Sequence, residues 1–170
     1  MTARTALQLV LVFLPMVGEA WLAARNEREQ RARGGVEPPG DVYRLMRFAY
    51  PAAFATMIAE GVWDPDRGWW TAGLALFAVA KALKWWAVAT LGPAWTFRVI
   101  VRPSVPLVAS GPYRFLRHPN YVAVVGELVG VALMSGARIS GPLMTLMFCV
   151  LMLKRIAVED RALELVRRST

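Results

Sequence analysis

Five apolar runs, each near the length that crosses a bilayer, restrict this chain more than any motif does. A hydrocarbon core about 30 Å thick takes about 20 helical residues to span. Inside it every backbone N–H and C=O must find a partner within the protein, which leaves helices or closed barrels. The runs are continuous rather than alternating, and continuity over such lengths selects helices. They cover about residues 5–24, 45–62, 69–91, 122–137 and 139–158. Composition agrees: 56% of residues are hydrophobic, 19% are charged and the mean hydropathy is +0.41, whereas an average globular chain is about 25% charged. The expected fold is an all-α integral membrane protein of about five transmembrane helices, read as a single domain over residues 1–170.

A formal charge of +8 and a pI near 10.5 would suit a nucleic-acid partner, but the basic residues do not form one face. They gather in alternate connecting segments: Arg25, Arg28, Arg31, Arg33, Arg44 and Arg47 after the first run, Arg98, Arg102, Arg114 and Arg117 after the third, and Lys154, Arg155, Arg161, Arg167 and Arg168 near the end. The other two connections hold only Arg67 and Arg138. This is the positive-inside pattern of a membrane protein, and no nucleic-acid partner is expected. It puts the N-terminus outside and the three basic segments in the cytoplasm, as in a bacterial inner-membrane protein. The lone Cys149 lies within an apolar run, so neither a disulfide framework nor a cysteine metal signature is present. No metal site is expected. The absence of a GxGxxG motif removes a soluble Rossmann enzyme from consideration.

Polar residues in the first three runs are less decisive. The first run also has a signal-peptide outline, with Arg4, an apolar core, and Gly18 and Ala20 at cleavage-like spacing; against this, apolar residues continue through Ala24. Glu19 lies near a run end, where it can reach the headgroups, and Lys84 sits beside Trp85 and Trp86, where it can snorkel. Lys81 is deeper, and both snorkelling and a functional role stay open for it. Arg25 to Arg33 reads as a solvated charge run, followed by turn-forming Gly34-Gly35 and Pro38-Pro39-Gly40. Asp64 to Gly68 breaks the second run from the third. Thr96–Val101 and Val105–Val108 read as two short extended segments around a turn, a ledge on one membrane face.

The densest polar cluster is Gly111-Pro-Tyr-Arg-Phe-Leu-Arg-His-Pro-Asn-Tyr121, which contains the only histidine of the chain. Pro119 suits the first turn of the fourth helix, where its missing N–H costs nothing. His118 then stands at the helix N-terminus, next to unpaired backbone N–H groups and the positive end of the dipole, with Arg114 and Arg117 adding charge. These residues predict a site for an anionic group at the cytoplasmic membrane face. Interfacial anchoring by tyrosine and arginine is the alternative. Glu127 falls two helical turns beyond Asn120, roughly 10 Å along the helix, where an unpaired carboxylate is costly. Arg155 and Glu159 are four apart at the end of the fifth helix and share a face, as an exposed ion pair would.

Taken together, Gly111–Tyr121 and Arg155-Ile-Ala-Val-Glu-Asp-Arg-Ala-Leu163 resemble the isoprenylcysteine carboxyl methyltransferase family, integral-membrane enzymes that use S-adenosylmethionine. The family pattern is G-x-Y…R-H-P-x-Y before one membrane helix and R-x-x-x-E-(E/D)-x-x-L after the next. The resemblance covers about the last 80 residues, with the cofactor-binding part over 105–165. It implies that Val108, Gly111, Tyr113, Arg117, His118, Pro119 and Tyr121 enclose the cofactor, with His118 and Tyr121 near its amino-acid end. It also implies that Arg155 lies by the transferring methyl and holds the acceptor oxygen, with Glu159 orienting Arg155 or binding cofactor. A carboxylate acceptor needs only an orienting cation, whereas a phenol or enol benefits from a base, for which His118, Glu127 and Glu159 are candidates. The implied activity is O-methylation of a carboxyl or hydroxyl group on a lipophilic acceptor that enters between helices. The acceptor is isoprenylcysteine-like or a long-chain polyketide product such as an alkylpyrone or alkylresorcinol. The chain departs from the pattern where the family's aromatic C-terminal continuation is replaced by Arg167 and Arg168, which counts against a prenylated protein tail. A phospholipid N-methyltransferase, an NADPH-dependent membrane reductase and a non-enzymatic membrane binding protein are the competing readings.

Overall fold

The computed structural model describes residues 2–63, 68–102 and 108–169, with side chains as far as Glu164. Five helices follow one another: α1 (Ala3–Ala32), α2 (Tyr43–Trp63), α3 (Trp70–Leu91), α4 (Pro119–Ser135) and α5 (Ser140–Ser169). Single 3-10 turns at Gly92–Ala94 and Gly111–Arg114 interrupt the long connection between α3 and α4. Helices α1, α3 and α5 are each long and apolar enough to cross a membrane on their own. At 17 residues α4 is shorter, at the lower end of spanning lengths of roughly 17–25 residues. Rows of exposed apolar side chains, such as Leu7, Val10 and Leu14 on α1 and Leu143, Leu146 and Val150 on α5, form the surface that a hydrocarbon phase would cover.

The tightest helix pair is α3 with α4, and small residues are the reason. A Cβ on Gly73 would lie 2.5 Å from the Met134 backbone nitrogen, and one on Gly130 would lie 2.9 Å from that of Phe77. Where lipid replaces water, helices associate through such close backbone approach. Phe54, Met57, Phe77, Leu128, Val131 and Phe148 build the main apolar core beside this pair. At the far end of the bundle, Glu60 of α2 accepts hydrogen bonds from the Ile139 and Ser140 nitrogens at 3.0 and 2.7 Å. It thereby satisfies donors that a helix start leaves without partners. The left-handed Gly136 (φ 66°) terminates α4, as glycine commonly does at a helix end.

Two sequence expectations change here, and the segment around Val101 gains a contact. The run Arg25–Arg33 is not a solvated linker: α1 continues through it to Ala32. Ala23, Asn26 and Gln30 are buried on one face, and the two amides serve the turn that ends α3. Asn26 donates to the carbonyls of Trp95 (2.8 Å) and Gly92 (3.2 Å), and Gln30 to that of Pro93 (2.7 Å). The end of a helix leaves carbonyls that need donor partners, so the face that meets this turn is polar. Val101 pairs with Val36 in an antiparallel bridge between the two long connections, a partner the sequence did not indicate. Residues 103–107, which hold most of the expected turn and second extended segment, lie outside the described residues, as does the expected break at 64–67. Second, Glu19 and Lys84 do not reach the interface; they are 1% and 2% exposed.

Candidate functional site

The two long connections and the C-terminal part of α5 meet at one end of the bundle. Arg98 pairs with Glu37 at 2.7 Å, Arg155 with Asp41 at 3.3 Å, and Arg117 with Asp160 at 3.2 Å. The three basic segments of the sequence therefore share one end. Partial burial raises the pKa of the Glu37 carboxyl, but hydrogen bonds from Arg31 and Arg98 and their charges outweigh it and hold the group below the ordinary carboxylate range.

Below this end lies a cavity of about 990 Å³. Its polar end is bordered by Tyr113, Arg117, His118, Asn120, Tyr121, Arg155, Glu159 and Asp160. From there it continues between apolar side chains, Phe13, Met16 and Val17 of α1, Met46 of α2, and Phe148 and Met152 of α5. Phe148 and Arg155 are seven residues apart on one helix, so the walls turn from apolar to charged over roughly 10 Å.

Local sequence explains how the polar end is held. Pro119 occupies the first helical position of α4 and His118 is its N-cap residue, with the His118 carbonyl accepting from the Tyr121 and Val122 nitrogens. One helical turn thus sets the His118 and Tyr121 rings 5.5 Å apart. The Tyr121 hydroxyl accepts from Arg155 Nε at 2.9 Å and donates to Glu159 Oε2 at 2.8 Å. Burial, with the Glu159 carboxylate nearby, pushes the Tyr113 phenol well above its ordinary pKa, so it stays protonated as a hydrogen-bond donor.

Of the residues singled out in the sequence, Val108, Tyr113, Arg117, His118, Pro119, Tyr121, Arg155 and Glu159 all border the cavity. Gly111 does not. It takes a left-handed conformation (φ +56°) in which a Cβ would meet Thr90 Oγ1 at 2.4 Å, so its visible work is to seat the 3-10 turn against α3. Glu127 also stands behind the cavity wall. It accepts from the Tyr50 hydroxyl and pairs with Lys81 at 3.2 Å and Lys84 at 3.4 Å. Both lysines also pair with Glu19 at 2.7 Å, so two cations and two anions are balanced inside the bundle. Glu127 therefore has the partners that the cost of an unpaired carboxylate at that depth calls for, and one departure from an exposed ion pair follows: Arg155 is a buried side chain whose link to Glu159 runs through Tyr121.

Sequence reasoning assigned nothing to Asp41, Tyr50, Asn120 or Asp160. Equal numbers of acidic and basic residues inside the first, third and fourth runs carried a signal for the Glu19–Lys81–Lys84–Glu127 cluster, since ionisable residues in spans usually pair. Asp41, in a proline- and glycine-rich connection, carried none.

Helices that cover a cavity apolar along most of its wall, with charged side chains gathered mainly at one end, define a helical membrane protein. The sequence model of the Isoprenylcysteine carboxyl methyltransferase (ICMT) family matches residues 73–165, and the chain belongs to that family. It is 28% identical over 160 residues to the uncharacterized protein YpbQ of Bacillus subtilis (strain 168), an alignment covering 93% of this chain and 95% of that one. It is also 26% identical over 145 residues to an uncharacterized protein of Haemophilus influenzae, covering 84% of each. No solved structure matches the chain.

Proposed function

We propose that the protein is an integral-membrane, S-adenosylmethionine-dependent O-methyltransferase acting on a carboxyl or hydroxyl group of a lipophilic acceptor. The observation that carries this reading is the two-part cavity, in which the Arg155–Tyr121–Glu159 chain stands at the polar end of an apolar passage. Family membership supports the reaction class. A cytoplasmic position for the polar end follows from the positive-inside rule, because the three basic segments share that end.

The residues present fit such a cofactor. His118 Nε2, Asn120 Oδ1 and Arg102 Nε are buried without a hydrogen-bond partner, and Asp160 Oδ1, also buried, has the Arg117 ion pair but no hydrogen bond; all four residues border the cavity. His118 Nε2 and Asp160 Oδ1 are 3.3 Å apart but not in hydrogen-bonding geometry. Buried polar groups left unpaired cost stability. An amino-acid moiety offers an ammonium for the two oxygens and a carboxylate for the two nitrogens. Val108, Tyr113, Arg117, Pro119 and Tyr121 complete the enclosure, and Gly111 supports it from behind.

Bound S-adenosylmethionine would supply an electrophilic methyl group on a sulfonium, transferred by in-line displacement. The protein's own part is positioning and exclusion of water. Arg155 orients the acceptor oxygen, and Tyr121 and Glu159 hold Arg155. With a hydroxyl acceptor the proton must also leave. Glu159 borders the cavity and is the nearer base, whereas Glu127 stands behind Tyr50 and Lys84, which border it. Phe13, Met16, Phe148 and Met152 accommodate the chain of the acceptor, a long-chain phenol or enol fitting the passage as well as an isoprenoid.

Calorimetric titration of the detergent-solubilised protein with S-adenosylhomocysteine tests the reading. Saturable one-site binding is expected, and folded protein that does not bind overturns it. Titration with NADPH on the same sample separates a reductase.

A further inference from the structure

Asp41, in the connection between α1 and α2, is an acid that the chemistry above does not use. Its side chain is 3% exposed, and it joins three parts of the chain at once. Oδ1 accepts from the Tyr43 nitrogen at 3.0 Å and from Arg155 Nη1 at 3.3 Å; Oδ2 accepts from the Val99 nitrogen at 2.9 Å. Every one of these partners is a donor. A carboxylate can accept from all three, whereas an amide of the same shape would turn its own NH2 against one of them.

Arg155 is held from two sides. Tyr121 engages Nε and Asp41 engages Nη1; among the described residues Nη2 makes no hydrogen bond. The guanidinium is planar and rigid, so two fixed nitrogens define its plane and leave the third with a set direction. Such preorganisation avoids ordering a flexible side chain when an acceptor arrives.

We propose that Asp41 is the positioning residue of Arg155: it fixes the guanidinium so that Nη2 faces the acceptor oxygen, without itself touching acceptor or cofactor. This rests on the reading of Arg155 as the acceptor-holding group. It gives the first part of the chain, outside the family-matched residues 73–165, a share in the site. The connection that carries Asp41 is tied down independently by the Val36–Val101 bridge and by Glu37 on Arg98, so the carboxylate is presented from a braced segment.

The test is the reaction of individual arginines with phenylglyoxal in the full-length protein in detergent, followed by peptide mass spectrometry. Asp41→Ala, which removes both acceptor oxygens, should raise the rate at Arg155 about tenfold or more and leave Arg138 and Arg117 unchanged. Glu37→Gln, which loosens the same connection elsewhere, should leave Arg155 slow. An unchanged Arg155 rate in Asp41→Ala, or an equal rise in Glu37→Gln, overturns the proposal. Should Asp41→Ala not fold, Tyr121→Phe serves instead: with Nε released, Arg155 should stay slow because Asp41 still holds it, and a fast Arg155 overturns the assignment. Binding of S-adenosylhomocysteine, measured on the same samples, fails separately if the proposed reaction is wrong and leaves the arginine rates interpretable.

Discussion

Arg155 and Glu159 do not meet directly; the Tyr121 hydroxyl stands between them, accepting from one at 2.9 Å and donating to the other at 2.8 Å. A phenol hydroxyl in that position spends its one proton on Glu159, which leaves its lone pairs for Arg155. Two helices that are separate in the sequence, α4 and α5, are thereby joined at the polar end of the cavity.

Removing that hydroxyl is the most direct perturbation. Tyr121→Phe keeps the ring beside His118 but leaves Arg155 Nε and a Glu159 oxygen without this partner. Hydrogen bonds to charged groups are worth about 1.5–3 kcal/mol, or about ten- to hundredfold in rate if lost only in the transition state. Under the proposed reaction, single-turnover transfer from radiolabelled S-adenosylmethionine to a long-chain acceptor such as an alkylresorcinol should slow by that factor. S-adenosylhomocysteine affinity measured by calorimetry should change less.

The Glu19–Lys84–Lys81–Glu127 cluster makes a prediction about stability. Glu19→Leu leaves two lysines facing one carboxylate, and breaking a buried pair from one side costs about 3–5 kcal/mol. Glu19→Leu combined with Lys84→Leu restores the charge balance as Lys81 with Glu127. Thermal unfolding in detergent should therefore show a large drop for the single variant and recovery of most of it in the double. A double variant no more stable than the single would mean that geometry, not charge balance, holds the cluster.

Close approach of α3 and α4 depends on missing side chains. In Gly130→Ala the new Cβ would lie 2.9 Å from the Phe77 nitrogen, and backbone cannot step aside as a flexible side chain can. Such overpacking costs about 1–3 kcal/mol, read as a lower thermal midpoint. Gly18→Ala, where nothing lies within 4 Å, should leave the midpoint unchanged or raise it slightly.

Acid should loosen the clamp between the two long connections. The Glu37 carboxyl is held below its ordinary value, so its contribution is fully present above the unfolded pKa, about 4.3. It is lost as pH falls through the lowered folded value. Hydrogen–deuterium exchange at the paired Val36 and Val101 amides, corrected for intrinsic rates, should show protection falling below about pH 4. In Glu37→Gln the protection should be weaker at neutral pH and much less dependent on pH.

The sequence alone carried the helix count, the end of the bundle on which the basic segments gather, and the two motif blocks. Each rests on short-range physics: hydrocarbon length, loop charge, and the preference of proline for a helix start. Most residues of those blocks border one cavity, because a helix N-terminus and a helix C-terminus at the same end of a bundle can face each other. What the tertiary structure decided is which polar groups find each other across long separations. Glu19 and Lys84 were expected at the interface because each lies near the end of its run, yet each is buried by a partner on another helix. Asn26 and Gln30 were expected in water because they sit among charges, yet the carbonyls exposed by the turn after α3 make a polar buried face favourable. Asp41 gave no sign of its contact with Arg155, 114 residues away. Periodicity and composition report how a residue relates to its own helix and to the bilayer; the identity of a buried ion's partner depends on how helices pack, and that was decided only when the glycines of α3 and α4 brought the bundle together.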